Sequence, residues 1–339
     1  MQKSNNILVW IIFTLLLVST TSAAFAAANN TAKTTPLSTV VNSSKAEIKN
    51  NNINTTTVVN NSSSIETPGL KVVASFYPMY EFAKQVGGNR VEVSSLIPIG
   101  VEPHDFEPTI QQIQNAQTAD MMVINGAGME GMWIKKIGSK FLVDTGQGIK
   151  LLGSNESVAH GGATDPHIWL DPILAKQQVE KIRDAFVKTD PSNAGYYNDN
   201  AKKYNAKLDA LDASIKAAFS NCSKKDFIAF HNAFSYFAKR YGLNQHSIHE
   251  GVTPEGEILP QRLTQVIDLA HKLGLNVVYS EELLDPRSAN VIAQEIPNGK
   301  VLVLSPIEGI NKDEQKTGVG YIDKMNQDIG NLKIGLGCK

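Results

Sequence analysis

The feature that most constrains the fold is a repeated alternation of short apolar strand patterns with amphipathic helix patterns. Residues 71–75 and 91–97 have the pattern of strands, and residues 79–86 between them have the pattern of a helix. This order favours parallel strands joined by crossover helices. The same alternation returns later in the chain, at residues 226–230, 233–241, 261–273, 276–280, 287–296, 300–304 and 322–336. We therefore predict an α/β protein with two lobes, each a mainly parallel sheet flanked by helices.

A single long helix is predicted between the two sets of strands. Apolar residues recur at helical spacing from Tyr197 to Ala218 without a break, which gives about 24 helical residues and a length of roughly 36 Å. A helix of this length is able to join two lobes. Burial against one domain is the alternative, and the apolar pattern alone does not choose between them.

The N-terminal segment has the pattern of an export signal. Lys3 precedes an apolar stretch at residues 7–18, and Ala24-Phe25-Ala26 has the small residues of a cleavage site. Residues 1–26 are therefore predicted to be a secretory signal peptide, and the mature protein is expected in the periplasm or at the cell surface. Retention of the segment as an uncleaved anchor on the outer face of the membrane is the alternative.

The next segment is rich in small polar residues. Of the 42 residues at positions 27–68, 23 are Asn, Ser or Thr and none is aromatic, so the segment lacks the apolar surface needed to offset the entropy of ordering. We predict a disordered tether here, then a first lobe at 69–192, a linking helix at 193–220 and a second lobe at 221–339. Glycosylation sequons, which matter only in an organism that glycosylates, begin at Asn29, Asn42, Asn54, Asn60 and Asn61.

The charge balance and the cysteines narrow the class of protein. Lys and Arg number 32 against 33 Asp and Glu, and without a basic run there is no reason to expect nucleic acid as a partner. Cys222 and Cys338 are the two cysteines, and their spacing excludes a zinc knuckle. Because export leads to an oxidising compartment, we predict that they form a disulfide, with two free thiols as the alternative.

Three histidines occupy equivalent places, each where a strand or loop leads into a helix. His104 lies between Pro103 and Pro108, and His167 lies between two Asp-Pro steps, the second of which, Asp171-Pro172, has the sequence of a helix start. His231 follows the strand pattern at 226–230. Ligands of open α/β sheets bind beyond the carboxyl ends of the strands, and imidazole suits zinc and its neighbours. These three histidines are the predicted metal ligands.

Two other features are interpreted as structural. The remaining histidines lack this placement and are expected to be surface or core residues; they are His160, His246, His249 and His271. Gly126 to Gly131 spells G-x-G-x-x-G, a pattern of dinucleotide sites. That pattern belongs in the first βα turn of a fold, and the helix that follows it here would be short and contains Gly138.

Several stretches, taken in chain order, resemble the zinc and manganese solute-binding proteins that serve ABC importers. The resemblance extends from Lys71 to the C-terminus. It is carried by Ser75-Phe76-Tyr77-Pro78, Pro103-His104-Asp105-Phe106-Glu107-Pro108, Asp120-Met121-Met122-Val123-Ile124-Asn125-Gly126, Asp165-Pro166-His167-Ile168-Trp169-Leu170-Asp171-Pro172 and Phe230-His231-Asn232-Ala233-Phe234-Ser235-Tyr236-Phe237. It implies two α/β lobes joined by one long helix, with the metal in the cleft between them, and an ordinary loop at Gly126 to Gly131.

The resemblance also implies a function and a set of ligands. The chain would be an extracytoplasmic metal-binding protein, acting as a monomer, that delivers a divalent ion to an ABC permease and performs no chemistry. The family's ligands match His104, His167 and His231, and manganese-preferring members tend to have Glu at the third place, so Zn²⁺ is expected rather than Mn²⁺. The fourth ligand stays open between a water molecule, Glu281 and Glu308.

Two other functions are alternatives to metal capture. A secreted zinc-dependent hydrolase also uses three histidines, with Glu281 or Glu308 as a general base, but the sequence has no HExxH motif. A cell-adhesion role for the same fold is the third alternative, and no residue in the sequence tests it.

Overall fold

The computed structural model describes residues 69–131, 133–138, 141–153, 164–254 and 257–339. All of them belong to one unit of the chain, Ser63–Lys339. The predicted signal peptide, the tether with its sequons and His160 lie outside the described residues. No helix among the described residues has the length and apolar character needed to cross a membrane.

Within the described ranges, the strands form two four-stranded sheets in which every neighbouring pair is parallel. Their bounds are β1 (Leu70–Ala74), β2 (Val91–Ser95), β3 (Met121–Ile124), β4 (Leu142–Asp144), β5 (Asp226–Ala229), β6 (Asn244–Ser247), β7 (Val277–Ser280) and β8 (Lys300–Val303). The strand order is β2-β1-β3-β4 in the first lobe and β6-β5-β7-β8 in the second. The two lobes therefore share one topology.

Helices flank both sheets. Their bounds are α1 (Tyr77–Gly87), α2 (Ile110–Thr118), α3 (Ile134–Ile137), α4 (Pro172–Thr189), α5 (Ala194–Ala218), α6 (Ser235–Tyr241), α7 (Pro260–Leu273), α8 (Arg287–Glu295), α9 (Lys312–Thr317) and α10 (Tyr321–Leu336). The helix starts follow local signals: Asp171 caps α4 by accepting hydrogen bonds from the backbone N–H groups of Ile173 and Leu174, and Pro172 is the first helical residue. The predicted fold class is confirmed.

The long helix α5 packs against both lobes. It spans 25 residues and contacts α1 and α4 of the first lobe and α10 of the second. Its buried face includes Tyr197, Tyr204, Leu208 and Ile215, which belong to an apolar cluster that continues through both lobes. Of the two roles open to this helix, the structure shows the one that joins the lobes.

Some elements were not predicted because they lack an apolar pattern. The edge strand β6 has the sequence Asn-Gln-His-Ser and is only partly buried, so no alternation marked it as a strand. The short helix α9 is polar throughout and starts from a capping box between Asn311 and Glu314. Both elements have few or no buried residues, so burial does not select apolar residues for them.

Cys222 and Cys338 form a disulfide, as predicted. The bond joins the segment that leads into β5 with the residue that follows α10. It therefore closes the amino-terminal end of the second sheet, whereas the functional side chains described next lie at the carboxyl end.

Candidate metal centre

Four side chains, each from a different segment that follows a strand, converge in the cleft between the lobes. His104 follows β2, His167 lies between β4 and α4, His231 follows β5 and Glu308 follows β8. One ligand atom from each lies within 4.8 Å of all the others. The carboxyl ends of the parallel strands in both lobes face this point, which explains why residues so distant in sequence meet here.

The distances within this cluster suit one small ion. Glu308 Oε1 lies 3.0 Å from His104 Nε2 and from His167 Nε2 and 3.6 Å from His231 Nε2. The Nε2 atoms of His167 and His231 are 3.2 Å apart. Tetrahedral zinc with bonds of about 2.0–2.1 Å places its ligand atoms roughly 3.3–3.4 Å apart. The four side chains are 4% exposed or less, so an ion held there would be shielded from water.

A short turn fixes the orientation of His167. Asp165 Oδ1 accepts hydrogen bonds from the backbone N–H and the Nδ1 atom of His167, both at 2.9 Å. The ring of Trp169 packs against the imidazole with centroids 5.1 Å apart. Because Nδ1 is occupied by the carboxylate, Nε2 is left to face the centre, an arrangement typical of metal-binding histidines.

The glycine-rich segment, Gly126 to Gly131, and the residue before it support the turn that carries His167. Glu130 is buried and accepts hydrogen bonds from Ser75 Oγ and from the backbone N–H groups of Asn125 and Gly126, at 2.6 to 3.0 Å. Asn125 Nδ2 in turn donates to the carbonyl of Pro166, at 2.9 Å. Glu130, which lies within the glycine-rich segment, thus holds the start of that segment through backbone hydrogen bonds. The helix that follows the segment, α3, has only four residues. The segment therefore lacks the long helix on which a dinucleotide pyrophosphate would rest.

A second carboxylate orients His231. Glu281, the first residue after β7, has its Oε1 atom 2.7 Å from His231 Nδ1. Of the two candidate glutamates, Glu308 thus provides one of the four converging ligand atoms. Glu281 instead contacts His231 at Nδ1, the ring nitrogen that does not face the centre. The orienting roles of Asp165 and Glu281 were not predicted, although an Asp two residues before a His was a visible signal in the sequence.

The loop that carries Glu308 has an unusual backbone. Ile307 has a φ of 56°, a conformation that costs a β-branched residue about 1–3 kcal/mol and persists only where the surroundings impose it. Ser305 Oγ accepts the N–H of Ile307 at 3.0 Å, and Trp169 Nε1 donates to the carbonyl of Pro306 at 2.8 Å. The strained residue therefore immediately precedes the converging carboxylate.

Comparison with known proteins agrees with this geometry. The family described as "Zinc-uptake complex component A periplasmic" matches residues 72–335. The chain belongs to this family. The high-affinity zinc uptake system protein ZnuA of Bacillus subtilis (strain 168) is 40% identical over 282 residues, which cover 79% of this chain and 88% of that protein.

Other similar proteins extend the comparison. The zinc-binding protein AdcA of Streptococcus pyogenes is 36% identical, and this chain spans 56% of its length. The Zn(II)-bound ZnuA-like domain of Streptococcus pneumoniae AdcA has a TM-score of 0.69 and 33% identity, over 79% of this chain and 98% of that one. The laminin-binding protein Lmb of Streptococcus agalactiae, described as a bifunctional protein with adhesin and metal-transporting activity, has a TM-score of 0.72 and 28% identity over 79% of this chain and 99% of that one.

Charges at the centre of this family member are mutually compensating. Burial favours a neutral His167, but hydrogen bonds and charge from Asp165 and Glu308 outweigh burial and raise its pKa. Burial also favours a neutral His231, but the charges and hydrogen bonds of Glu281 and Glu308 raise its pKa well above the usual value. Burial would raise the pKa of Glu308, yet the adjacent histidines hold it well below its ordinary range. The raised pKa values of His167 and His231 thus favour protons that balance the carboxylate, and a divalent cation would displace those protons.

The other described histidines lie outside the cluster. His246 Nε2 is 2.9 Å from Asp226 Oδ1, at the amino-terminal end of β5. His271 is exposed, with Nε2 3.1 Å from the carbonyl oxygen of Glu295. His249 is likewise not among the converging ligand atoms found in the described part of the chain.

Proposed function

We propose that this chain captures one zinc ion outside the cytoplasm and delivers it to an ABC permease. The observation that carries the proposal is the convergence of His104, His167, His231 and Glu308 from strand ends of both lobes. Membership of the zinc-uptake family supports it. Glu308 is the proposed fourth ligand, in preference to water or Glu281.

Zinc is the proposed cargo in preference to manganese. Manganese is at the weak end of the usual affinity order and gains most from oxygen ligands, whereas imidazole suits zinc. The four groups provide three imidazoles and one carboxylate. This set satisfies the tetrahedral coordination that zinc prefers.

Binding without catalysis is the proposed mode of action. A catalytic zinc site has three protein ligands and an open position for water, whereas four protein groups converge here. The two glutamates that a hydrolase would use as a base are both engaged, Glu281 with His231 and Glu308 with the three histidines. The geometry therefore favours a solute-binding protein over a secreted zinc hydrolase.

The division of ligands between the lobes suggests how the ion would be released. The first lobe contributes His104 and His167, and the second contributes His231 and Glu308. Separation of the lobes would leave two ligands on each side, and two ligands bind zinc far more weakly than four. We propose that a permease in the membrane favours the open form of a monomeric binding protein.

Competitive titration of zinc against manganese tests the proposal. The mature chain, freed of metal, is titrated at pH 7.5 with each ion in the presence of a chromophoric chelator. We expect one zinc ion per chain and weaker binding of manganese. Tighter binding of manganese, or no stoichiometric zinc binding, would overturn the proposed function.

A further inference from the structure

A buried lysine lies behind the loop that carries Glu308. Lys324, on α10, has a side chain that is 3% exposed, and its Nζ atom lies 2.9 Å from Glu282 Oε1 and 2.7 Å from Glu314 Oε1. A buried ammonium group is costly unless it is paired. The two carboxylates therefore offset the cost of burying the Lys324 charge, and Lys324 in turn fixes their positions.

A continuous series of hydrogen bonds leads from this lysine toward the metal centre. Glu282 Oε1, fixed by Lys324, accepts the hydroxyl hydrogen of Ser305. The oxygen of that hydroxyl accepts the N–H of Ile307 at 3.0 Å. Ile307 is the strained residue directly before Glu308.

The backbone of this loop is also held on its other side. The N–H of Ser305 donates to Asp328 Oδ1 at 2.8 Å, and Asp328 lies one helical turn after Lys324 on α10. One helix face thus fixes both the backbone and the hydroxyl group of Ser305. Loss of this support would allow Ile307 to relax to an ordinary φ, which would redirect the residue that follows it.

We propose that Lys324 is a positioning residue for metal binding, which keeps Glu308 in the centre through Glu282, Ser305 and Ile307. The inference rests on the proposed function, because it requires Glu308 to be a zinc ligand. Lys324 itself does not belong to the converging cluster of ligand atoms. Its effect on affinity must therefore pass through the loop.

The first test replaces the charge while keeping the length of the side chain. Groups that orient a metal ligand typically contribute 10- to 100-fold to affinity, so we expect Lys324→Met to weaken zinc binding by about that factor. The matched control is Lys216→Met, which removes an ion pair with Asp212 at 2.7 Å on α5. The control should leave zinc affinity within about twofold of wild type.

A double-mutant cycle separates positioning from general destabilisation. If Lys324 acts through Glu308, Lys324→Met should change zinc affinity by less than about twofold when Glu308→Gln is already present. The visible absorption of cobalt-loaded protein, which reports the ligand set, should change in Lys324→Met and stay the same in Lys216→Met. An equal loss of affinity with and without Glu308 would overturn the proposal.

A second variant keeps the test decisive if Lys324→Met does not fold. Ser305→Ala preserves the ion pairs of Lys324 and removes only the hydroxyl group that supports Ile307. We expect a similar loss of zinc affinity, again absent in the Glu308→Gln background. Unchanged affinity in Ser305→Ala would overturn this inference alone, whereas failure of the wild-type chain to bind zinc would overturn the proposed function.

Discussion

The two lobes share one topology and each provides two groups to the centre, but they support those groups differently. In the first lobe, His167 is fixed by Asp165, two residues away, and the carbonyl of the preceding Pro166 accepts a hydrogen bond from Asn125, which directly follows β3. In the second lobe, Glu308 depends on Glu282 after β7 and on Lys324 and Asp328 of α10.

This difference has a physical consequence. The hydrogen bonds that Asp165 accepts from His167 lie within one turn, so they are re-formed whenever the turn is formed and need no distant charge. The bond from Asn125 joins segments 41 residues apart, but its donor is an uncharged amide. The support of Glu308 combines a buried ion pair with a strained residue, and both fail if one distant partner is lost. We infer that the metal ligands of the first lobe are held in place before metal binds. The ligands of the second lobe are more easily displaced by a substitution.

The largest effect should come from removing a histidine from either lobe. Zinc sites with four ligands bind with about 10–16 kcal/mol in all, so one ligand accounts for roughly a 100- to 1,000-fold change in affinity. We expect losses of this size for both His167→Ala and His231→Ala, measured by chelator competition. His246→Ala, which alters a histidine outside the cluster, is the control and should bind as wild type. A small loss confined to His231→Ala would show that the second lobe is not a true half of the site.

The carboxylates behind the histidines allow a more direct comparison of the lobes. Asp165→Asn and Glu281→Gln each keep an oxygen acceptor but remove the charge that supports His167 or His231. We expect each to weaken zinc binding by about 10- to 100-fold. Wild-type affinity in either variant would mean that the corresponding imidazole is oriented by other contacts.

Acid should weaken binding in a window set by the two histidines with raised pKa values. In the metal-free protein His167 and His231 hold their protons above the usual pKa of about 6.5. Their contribution to stability is complete below that pH and is lost as pH rises through their folded-state pKa values. Zinc must displace these protons, so the affinity for zinc should fall about tenfold for each unit by which the pH is lowered and for each proton displaced.

Thermal melting with and without zinc, from pH 5.5 to 8.5, measures this effect. The increase in Tm caused by zinc should grow as pH rises. An increase that is the same at pH 5.5 and 7.5 would contradict the ligand assignment.

The smallest effect on zinc should come from the far end of the second lobe. The disulfide closes a loop with a sequence separation of 116, and its loss should lower the free energy of unfolding by about 2–5 kcal/mol. Because the bond lies at the amino-terminal end of the sheet, the double variant Cys222→Ser, Cys338→Ser should keep zinc affinity within about twofold. Urea unfolding and zinc titration of the same variant give both values. A large loss of affinity would mean that the two ends of this lobe are coupled.

The contrast between the lobes also explains which parts of the fold and of the metal centre could be predicted from the sequence. Alternating strand and helix patterns and the long apolar helix predicted the fold class. The placement of three histidines where a strand or loop leads into a helix predicted three of the converging groups. These signals are local, because turn residues and strand ends are encoded within a few positions. The role of Glu308 was left open because it depends on Ile307, Ser305 and α10, which no local pattern connects.

The same reasoning accounts for the missed elements. Strand β6 is an edge strand with one buried residue among four, so its sequence has no apolar alternation to detect. The support that Glu130 gives to Pro166 through Asn125 joins segments 41 residues apart. Such contacts follow from the fold and are not visible before it is known.

The most direct test of the central claim is a crystal structure of the zinc-loaded protein with anomalous scattering recorded at the zinc edge. We expect one strong peak per chain in the cleft, about 2.0–2.1 Å from a nitrogen of His104, His167 and His231 and about 2.0–2.2 Å from a carboxylate oxygen of Glu308. A peak coordinated by Glu281, or with a water molecule in place of Glu308, would contradict the assignment of the fourth ligand. A peak outside this cluster would contradict the metal centre itself.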